Sequence, residues 1–282
     1  MNKTVKRCHA ALRDDIGTLV TRRPLPGRQL DQIDPFLFLN HHGPQTFPAQ
    51  NAGLPFGPHP HRGFETVTFI LEGAVAHRDS AGHESIIRAG GVQWMTAGSG
   101  LVHEEVSPDD FRRTGGPLEI LQLWINLPAR LKRTAPRYIG LQREAVPTLA
   151  TEDGKGRLHL ISGQWKGQTG PVASLTGVFM ATVEVVAGGT LSLRDLGGRN
   201  VFLYVVRGAL RVGDEHCPEH CLVELDRDGD AVDLCAERDS ILILGHAEPI
   251  GEPVVAHGPF VMNTRSEIAE AIADYRAGRL GT

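Results

Sequence analysis

His59-Pro60-His61 is answered further along the chain by His103-Glu104-Glu105, and each stretch offers two donor side chains at i and i+2. On a β-strand those positions share a face, because side chains alternate with a period of two. Two such strands packed across a small barrel would gather three neutral imidazoles and one carboxylate, those of His59, His61, His103 and Glu105. That set suits a first-row divalent metal with open coordination positions, an arrangement used to activate oxygen. Glu104 should point the opposite way, as an exposed acid.

Other candidates are weaker. His77-Arg78-Asp79 has the same spacing but reads as a solvated hairpin rather than a ligand pair. His41 and His42 precede Gly43-Pro44 in a loop, where His41 could line a pocket wall. His216-Cys217-Pro218-Glu219-His220-Cys221 suggests zinc only superficially, since its spacing departs from Cys-x-x-Cys patterns and no partner pair follows. Gly98-Ser99-Gly100 is neither a dinucleotide loop nor a serine elbow.

The elements that must position these side chains are mainly β. Apolar runs are short, often alternating, and bounded by turn residues, as at Thr66 to Leu71, Leu118 to Trp124, Val178 to Val185 and Val201 to Val206. The stretch from Thr68 through Glu72-Gly73 to Val75 recurs as Leu203 through Arg207-Gly208 to Leu210, each a strand, a charge-Gly turn and a second strand. In the same alignment His59 falls on Arg194 and His61 on Leu196, so the second copy lacks the ligands. One helix is expected near the C-terminus. Thr264 and Glu267 have capping-box spacing, Ile268, Ala271, Ile272 and Tyr275 form a stripe, and Gly278 ends it.

Bulk properties exclude several functions. The net charge of −4 comes from interspersed acids and bases, with no basic stripe for direct nucleic-acid binding. No apolar run reaches the roughly 18 residues that would span a membrane. The N-terminal segment is broken by Arg13, Asp14 and Asp15, unlike a secretory signal. Four cysteines in a chain of 282 residues make no disulfide framework. A cytoplasmic monomer in a reducing compartment is the expectation.

His59-x-His61 followed by Glu65 and a turn glycine, then Gly98-Ser99-Gly100-Leu101-Val102-His103, resembles the two motifs of the cupin superfamily. The stretches Pro58-His-Pro-His-Arg-Gly-Phe-Glu-Thr-Val67, Val92-Gln-Trp-Met-Thr-Ala-Gly98 with His103-x-Glu105, and Gly258-Pro-Phe-Val-Met-Asn-Thr264 resemble the pirin family more narrowly. The resemblance covers nearly the whole chain. It implies a bicupin, two similar β-barrel or jelly-roll domains with a short C-terminal helix. Residues 1–135 would form the metal-binding cupin and 136–282 a degenerate one. It also implies Fe(2+) at the first site, although other divalent first-row metals suit the same donors. The general cupin pattern nominates Glu65 as the fourth ligand and the pirin pattern Glu105. Glu105 is the choice here because it shares a strand face with His103. Some pirin relatives cleave quercetin, so the implied activity is a quercetin 2,3-dioxygenase, with a flavonol-like substrate, O2, and Glu105 as base. Others act through protein partners, and the same ligands would serve a regulatory or redox-sensing module.

Overall fold

The computed structural model describes residues 1–281. Its strands form two large and two four-stranded antiparallel sheets that repeat one topology. In one large sheet, neighbours run Arg137–Leu141, Val92–Thr96, Phe64–Glu72, Gly116–Asn126 and Phe36–Phe47. In the other they run Val5–Ala10, Cys221–Leu225, Asn200–Arg207, Ser240–Ala247 and Phe179–Val185. The small sheets match likewise. One has the order Phe56–His61, Leu101–Val106, Ala74–Asp79, Glu84–Arg88, and the other Thr190–Leu193, Val232–Ala236, Ala209–Val212, Glu215–Pro218. The strand-turn-strand repeat seen in the sequence sits at the same place in each copy. Gly73 at φ 84° and Gly208 at φ 91° make its turns, a backbone region open chiefly to glycine.

The chain forms two compact units that do not follow sequence order. One gathers Met1–Leu12, Arg23–Pro35 and Ala145–Pro249; the other gathers Arg13–Arg22, Phe36–Glu144 and the chain from Ile250 onward. This division differs from the linear split at 135/136. Backbone pairing explains the difference: Val5–Ala10 completes a sheet by pairing with Cys221–Leu225, and Phe260 bridges to Arg62.

Each unit closes over its own interior. In the unit holding Ala145–Pro249, the strands that correspond to the two donor strands turn Leu191, Leu193, Val232 and Leu234 into an apolar core. Leu196 is fully buried there, whereas Arg194 is exposed and pairs with Asp233 at 2.7 Å. That interior has no use for imidazole.

The C-terminal helix spans Arg265–Arg276, with Thr264 Oγ1 accepting from the Glu267 amide and the Glu267 carboxylate accepting from the Asn263 amide. Thr264 thus caps as its spacing predicts, while Glu267 reaches the amide one residue before the cap and the Thr264 hydroxyl rather than the Thr264 amide. Ile268 and Ala271 pack on Phe260, Met262, Leu280 and Val102, so the helix backs the strand that carries His103. A second, six-residue helix at Asp109–Thr114 has no clear sequence signal. No helix among the described residues is long and apolar enough to cross a membrane.

His246 gives the fold a pH dependence. Burial, with the Arg199 charge beside it, pushes its pKa down to about 3, and Arg199 Nε donates to its Nδ1 at 2.7 Å. The unfolded chain therefore takes up this proton near pH 6.5 while the folded one does not until about pH 3. Stability is complete above that window and falls as pH drops through it, by at most about 1.4 kcal/mol per pH unit and less where water reaches the ring. His246→Gln keeps an acceptor for Arg199 but cannot titrate. Its urea midpoint should fall less between pH 7.5 and pH 4.5 than that of the wild type.

Candidate metal centre

Strands Phe56–His61 and Leu101–Val106 pair antiparallel, with His59 opposite His103 and His61 opposite Leu101. Along the second strand Leu101, His103 and Glu105 are buried while Val102, Glu104 and Val106 are half-exposed. That alternation follows from the period of two, and Glu104 turns outward to Arg78. One ring nitrogen from each of His59, His61 and His103 lies within 4.8 Å of the others, a group that could hold a metal ion. An ion held at about 2.1 Å draws neighbouring donors to roughly 3.0–3.4 Å from one another, so the rings must close in by about an ångström or more to bind one.

The unused ring nitrogens fix which atom each imidazole presents. His59 Nδ1 donates to the Gly57 carbonyl at 2.8 Å, and His61 Nδ1 makes a longer contact to the Pro259 carbonyl at 3.4 Å. His103 Nδ1 faces His77 Nδ1 at 3.5 Å, and His77 Nε2 lies 3.0 Å from Asp79 Oδ2. With the His77 Nε2–H donating to Asp79, its Nδ1 carries the lone pair that accepts from His103 Nδ1–H. All three Nε2 atoms are then free to donate electrons. His61 Nε2 and His103 Nε2 are buried without a hydrogen-bond partner. An unsatisfied buried polar atom costs about 1–3 kcal/mol, and a metal removes that cost. Burial, and the neighbouring imidazoles, hold His61 at about 3 and His103 well below its ordinary pKa. Both are thus in the neutral form that binds metal. The donor set fits a divalent first-row ion.

Glu105 stands beside the three rather than among them. Its Oε1 accepts from Thr68 Oγ1 at 2.8 Å, and its Oε2 accepts from Gln122 Nε2. Gln122 is itself oriented by Trp124 Nε1, which donates to its Oε1 at 3.2 Å. Glu65 lies on the opposite face of strand Phe64–Glu72 from Thr68, the residue that reaches Glu105. Its Oε1 accepts from Thr96 at 2.6 Å and burial raises its pKa. The odd step from 65 to 68 keeps Glu65 off the face that meets Glu105.

Several residues sit elsewhere than expected. His77 and Asp79 are buried, not a solvated hairpin: His77 stacks on Tyr138 at 4.0 Å, and Asp79 also accepts from the His83 amide and ring. Burial opposes the Asp79 charge, but its hydrogen bonds from His77 and His83 outweigh that and keep its pKa low. His41 is fully buried against Glu119 at 2.9 Å, and His42 Nδ1 meets Thr21 Oγ1 at 2.8 Å. Neither belongs to the donor cluster. His216 is exposed and paired with Glu237 while Cys217 is buried, so the zinc pattern does not assemble.

The C-terminal segment finishes the walls. Gly63, at φ 90°, lies so close to the Val261 carbonyl that a Cβ would stand 2.0 Å from it. The buried Lys132 ammonium donates to the Gly63 and Val261 carbonyls and to Asn126 Oδ1 at 2.9, 3.0 and 2.7 Å. Arg62, next to His61, donates to the Ser99 carbonyl and to Asp274 on the helix, at 2.7 and 2.8 Å. Beside His61 lies an aromatic ledge, with Trp124 stacked on Phe38 at 4.6 Å and packed on Phe64 at 4.4 Å. Phe38, Trp124, Gln122 and His59 are each half-buried. A separate cleft of 570 Å³, lined by Ala76, Arg78, Glu104 and Val106, lies on the outward face of the donor sheet. His77, which faces His103, is also among its lining residues.

Residues 18–125 match the family model described as Pirin, and residues 180–281 match that of the Pirin C-terminal cupin domain. A Pseudomonas aeruginosa protein named "Putative quercetin 2,3-dioxygenase" is 42% identical over 247 residues, 88% of this chain and 86% of its own length. The crystal structure of a quercetin 2,3-dioxygenase from Acinetobacter baumannii matches with a TM-score of 0.94 at 32% identity, covering 100% of this chain and 99% of that one. A bacterial pirin from Escherichia coli, solved in complex with nickel(II), shares the fold at a TM-score of 0.67 and 21% identity, over 85% of this chain and 96% of that one.

Proposed function

The chain belongs to the pirin family, and from that premise we propose that it is a metal-dependent dioxygenase cleaving a flavonol such as quercetin with O2. The observation that carries this reading is the set of three imidazoles whose Nδ1 atoms are engaged and whose Nε2 atoms converge, with a positioned carboxylate alongside. His59, His61 and His103 would hold the ion, with Glu105 reaching it as the fourth group. Fe(2+) suits these donors, as do other first-row divalent ions. When bound, the metal supplies Lewis acidity for an enolic hydroxyl and an electron path to O2.

The protein's own part is to place the substrate and move one proton. The stacked Phe38–Trp124 pair gives a flat, half-exposed surface next to His61, suited to the ring system of a flavonol. Aromatic stacking of this kind is worth about 0.5–1.5 kcal/mol beyond the area it buries. Glu105 takes the enol proton at a carboxylate oxygen, the general-base role. Thr68 and Gln122 fix the direction of that carboxylate, and Trp124 fixes Gln122, so the ledge and the base are tied together. The electron-rich enolate then reacts with O2 and its ring opens with loss of carbon monoxide.

The test is quercetin-dependent oxygen uptake by purified protein, expressed per equivalent of bound metal. Multiple turnovers with carbon monoxide release support the enzyme. Fully metal-loaded protein that consumes no oxygen would instead assign the centre to a regulatory role exercised through a protein partner.

A further inference from the structure

A second reactive site lies in the unit that does not hold His59, His61 and His103. Cys8 on strand Val5–Ala10 and Cys217 on strand Glu215–Pro218 stand with their sulfurs 3.3 Å apart. Both strands are at the edge of their sheets, one on the large sheet and one on the four-stranded sheet. Cys221 is the residue at which the neighbouring strand begins, paired in register with Ala10. Cys217 and Cys221 are buried in the apolar core, whereas Cys8 is only half-buried. Cys8 also lines a pocket of 140 Å³ whose other walls include Arg7, His9, Arg28 and Gln29. The three thiols are therefore unequal: one can be reached from solvent and two cannot.

We propose that Cys8 and Cys217 form a dithiol–disulfide pair that is oxidised by small hydroperoxides entering through this pocket. The sulfur of Cys8 attacks the peroxide, forming an S–O bond as the O–O bond breaks; the distal oxygen leaves as alcohol or water. Cys8 becomes a sulfenic acid. The Cys217 sulfur then attacks the Cys8 sulfur, an S–S bond forms, and hydroxide leaves as water with the Cys217 proton. Two thiols lose two electrons and the peroxide gains them. The sulfurs must close from 3.3 Å to a bond of about 2.05 Å. Edge strands can make that movement because each is hydrogen-bonded on one side only. The product would bolt the two sheets of this unit together at their open edge.

Hydrogen bonds from Cys217 and Cys221 lower the Cys8 pKa, while the same contacts and burial raise those of its two partners. A thiolate at the half-exposed position with thiols donating from the core is the physically sensible division, since burial penalises the charge. The thiolate is the nucleophilic form.

The experiment uses the full-length protein, reduced and then treated with a few equivalents of hydrogen peroxide. Thiol titration under denaturing conditions should fall from the four cysteines of the sequence to two, and dithiothreitol should restore all four. A non-reduced peptide map should contain the Cys8–Cys217 link, with Cys235 still free. In Cys217→Ala, Cys8 should be trapped as a sulfenic acid that dimedone labels. If that variant does not fold, the wild-type map decides alone. Four thiols surviving peroxide, a link from Cys8 to Cys221, or loss of Cys235 ahead of Cys8 would each overturn the proposal.

Discussion

Replacing His103 by Ala should strip the metal from the protein, lowering affinity by more than the roughly 10–100-fold typical of losing a supporting residue. The reason lies in how the imidazole is held. His103 is buried, its Nδ1 is directed by His77, and His77 is in turn directed by Asp79. Its removal leaves two nitrogens, one of them on the half-exposed His59, and on that strand only the Glu105 carboxylate, which is already engaged by Thr68 and Gln122. The measurement is metal per protein after dialysis against a graded series of chelators, with folding checked by circular dichroism. His77→Ala provides the scale, because it leaves all three ligands but frees the His103 ring to turn. Its loss should fall within the 10–100-fold range. Unchanged metal content in His103→Ala would remove the proposed centre outright.

Glu105→Gln should do the reverse, sparing the metal and abolishing most turnover. A positioned general base is worth on the order of 10²–10⁴ in rate. Gln keeps the shape and one oxygen acceptor but cannot accept the enol proton. It also sets an amide against Gln122, whose Nε2 now donates to Glu105. Metal content should change little, since the imidazole nitrogens gather without help from the carboxylate. Quercetin turnover per bound metal separates the two roles. Equal turnover in both proteins would keep the enzyme and remove Glu105 as its base. A large fall in metal content would show Glu105 to be chiefly a ligand.

The parts of the centre that could be read from the sequence are those governed by strand periodicity. Histidines at i and i+2 on two short apolar strands share faces wherever those strands pair, and the resemblance of the flanking motifs told which strands they were. The same periodicity separates Glu105 from Glu65, but only once Thr68 is seen to face the site. His77 and Asp79 could not be placed this way. Their hairpin spacing looks solvated, but His77 is stacked on Tyr138, from a strand that pairs with Val92–Thr96, and Asp79 is held by His77 and His83. The nearness of Cys8 to Cys217 is likewise silent in the sequence, since the two are separated by 209 positions and meet only through strand order. A linear boundary at 135/136 is what the family resemblance implies, whereas sheet edges are completed by whichever strand has free backbone groups. Here Val5–Ala10 completes the sheet that holds Cys221–Leu225, and Phe260 makes a single bridge to Arg62.

That use of the ends sets a timetable for biosynthesis. His59, His61, His103 and Glu105 all leave the ribosome long before Pro259, which steadies His61, and before Asp274, which anchors Arg62. A nascent chain thus carries its complete donor motif for most of translation without the wall that holds it in shape. On the proposed function, an ion offered before Pro259 and Asp274 have docked should be held less tightly than one offered after. A chain cut short by a premature stop or a C-terminal nick would keep His59, His61, His103 and Glu105 and lose the Pro259 carbonyl and the Asp274 carboxylate.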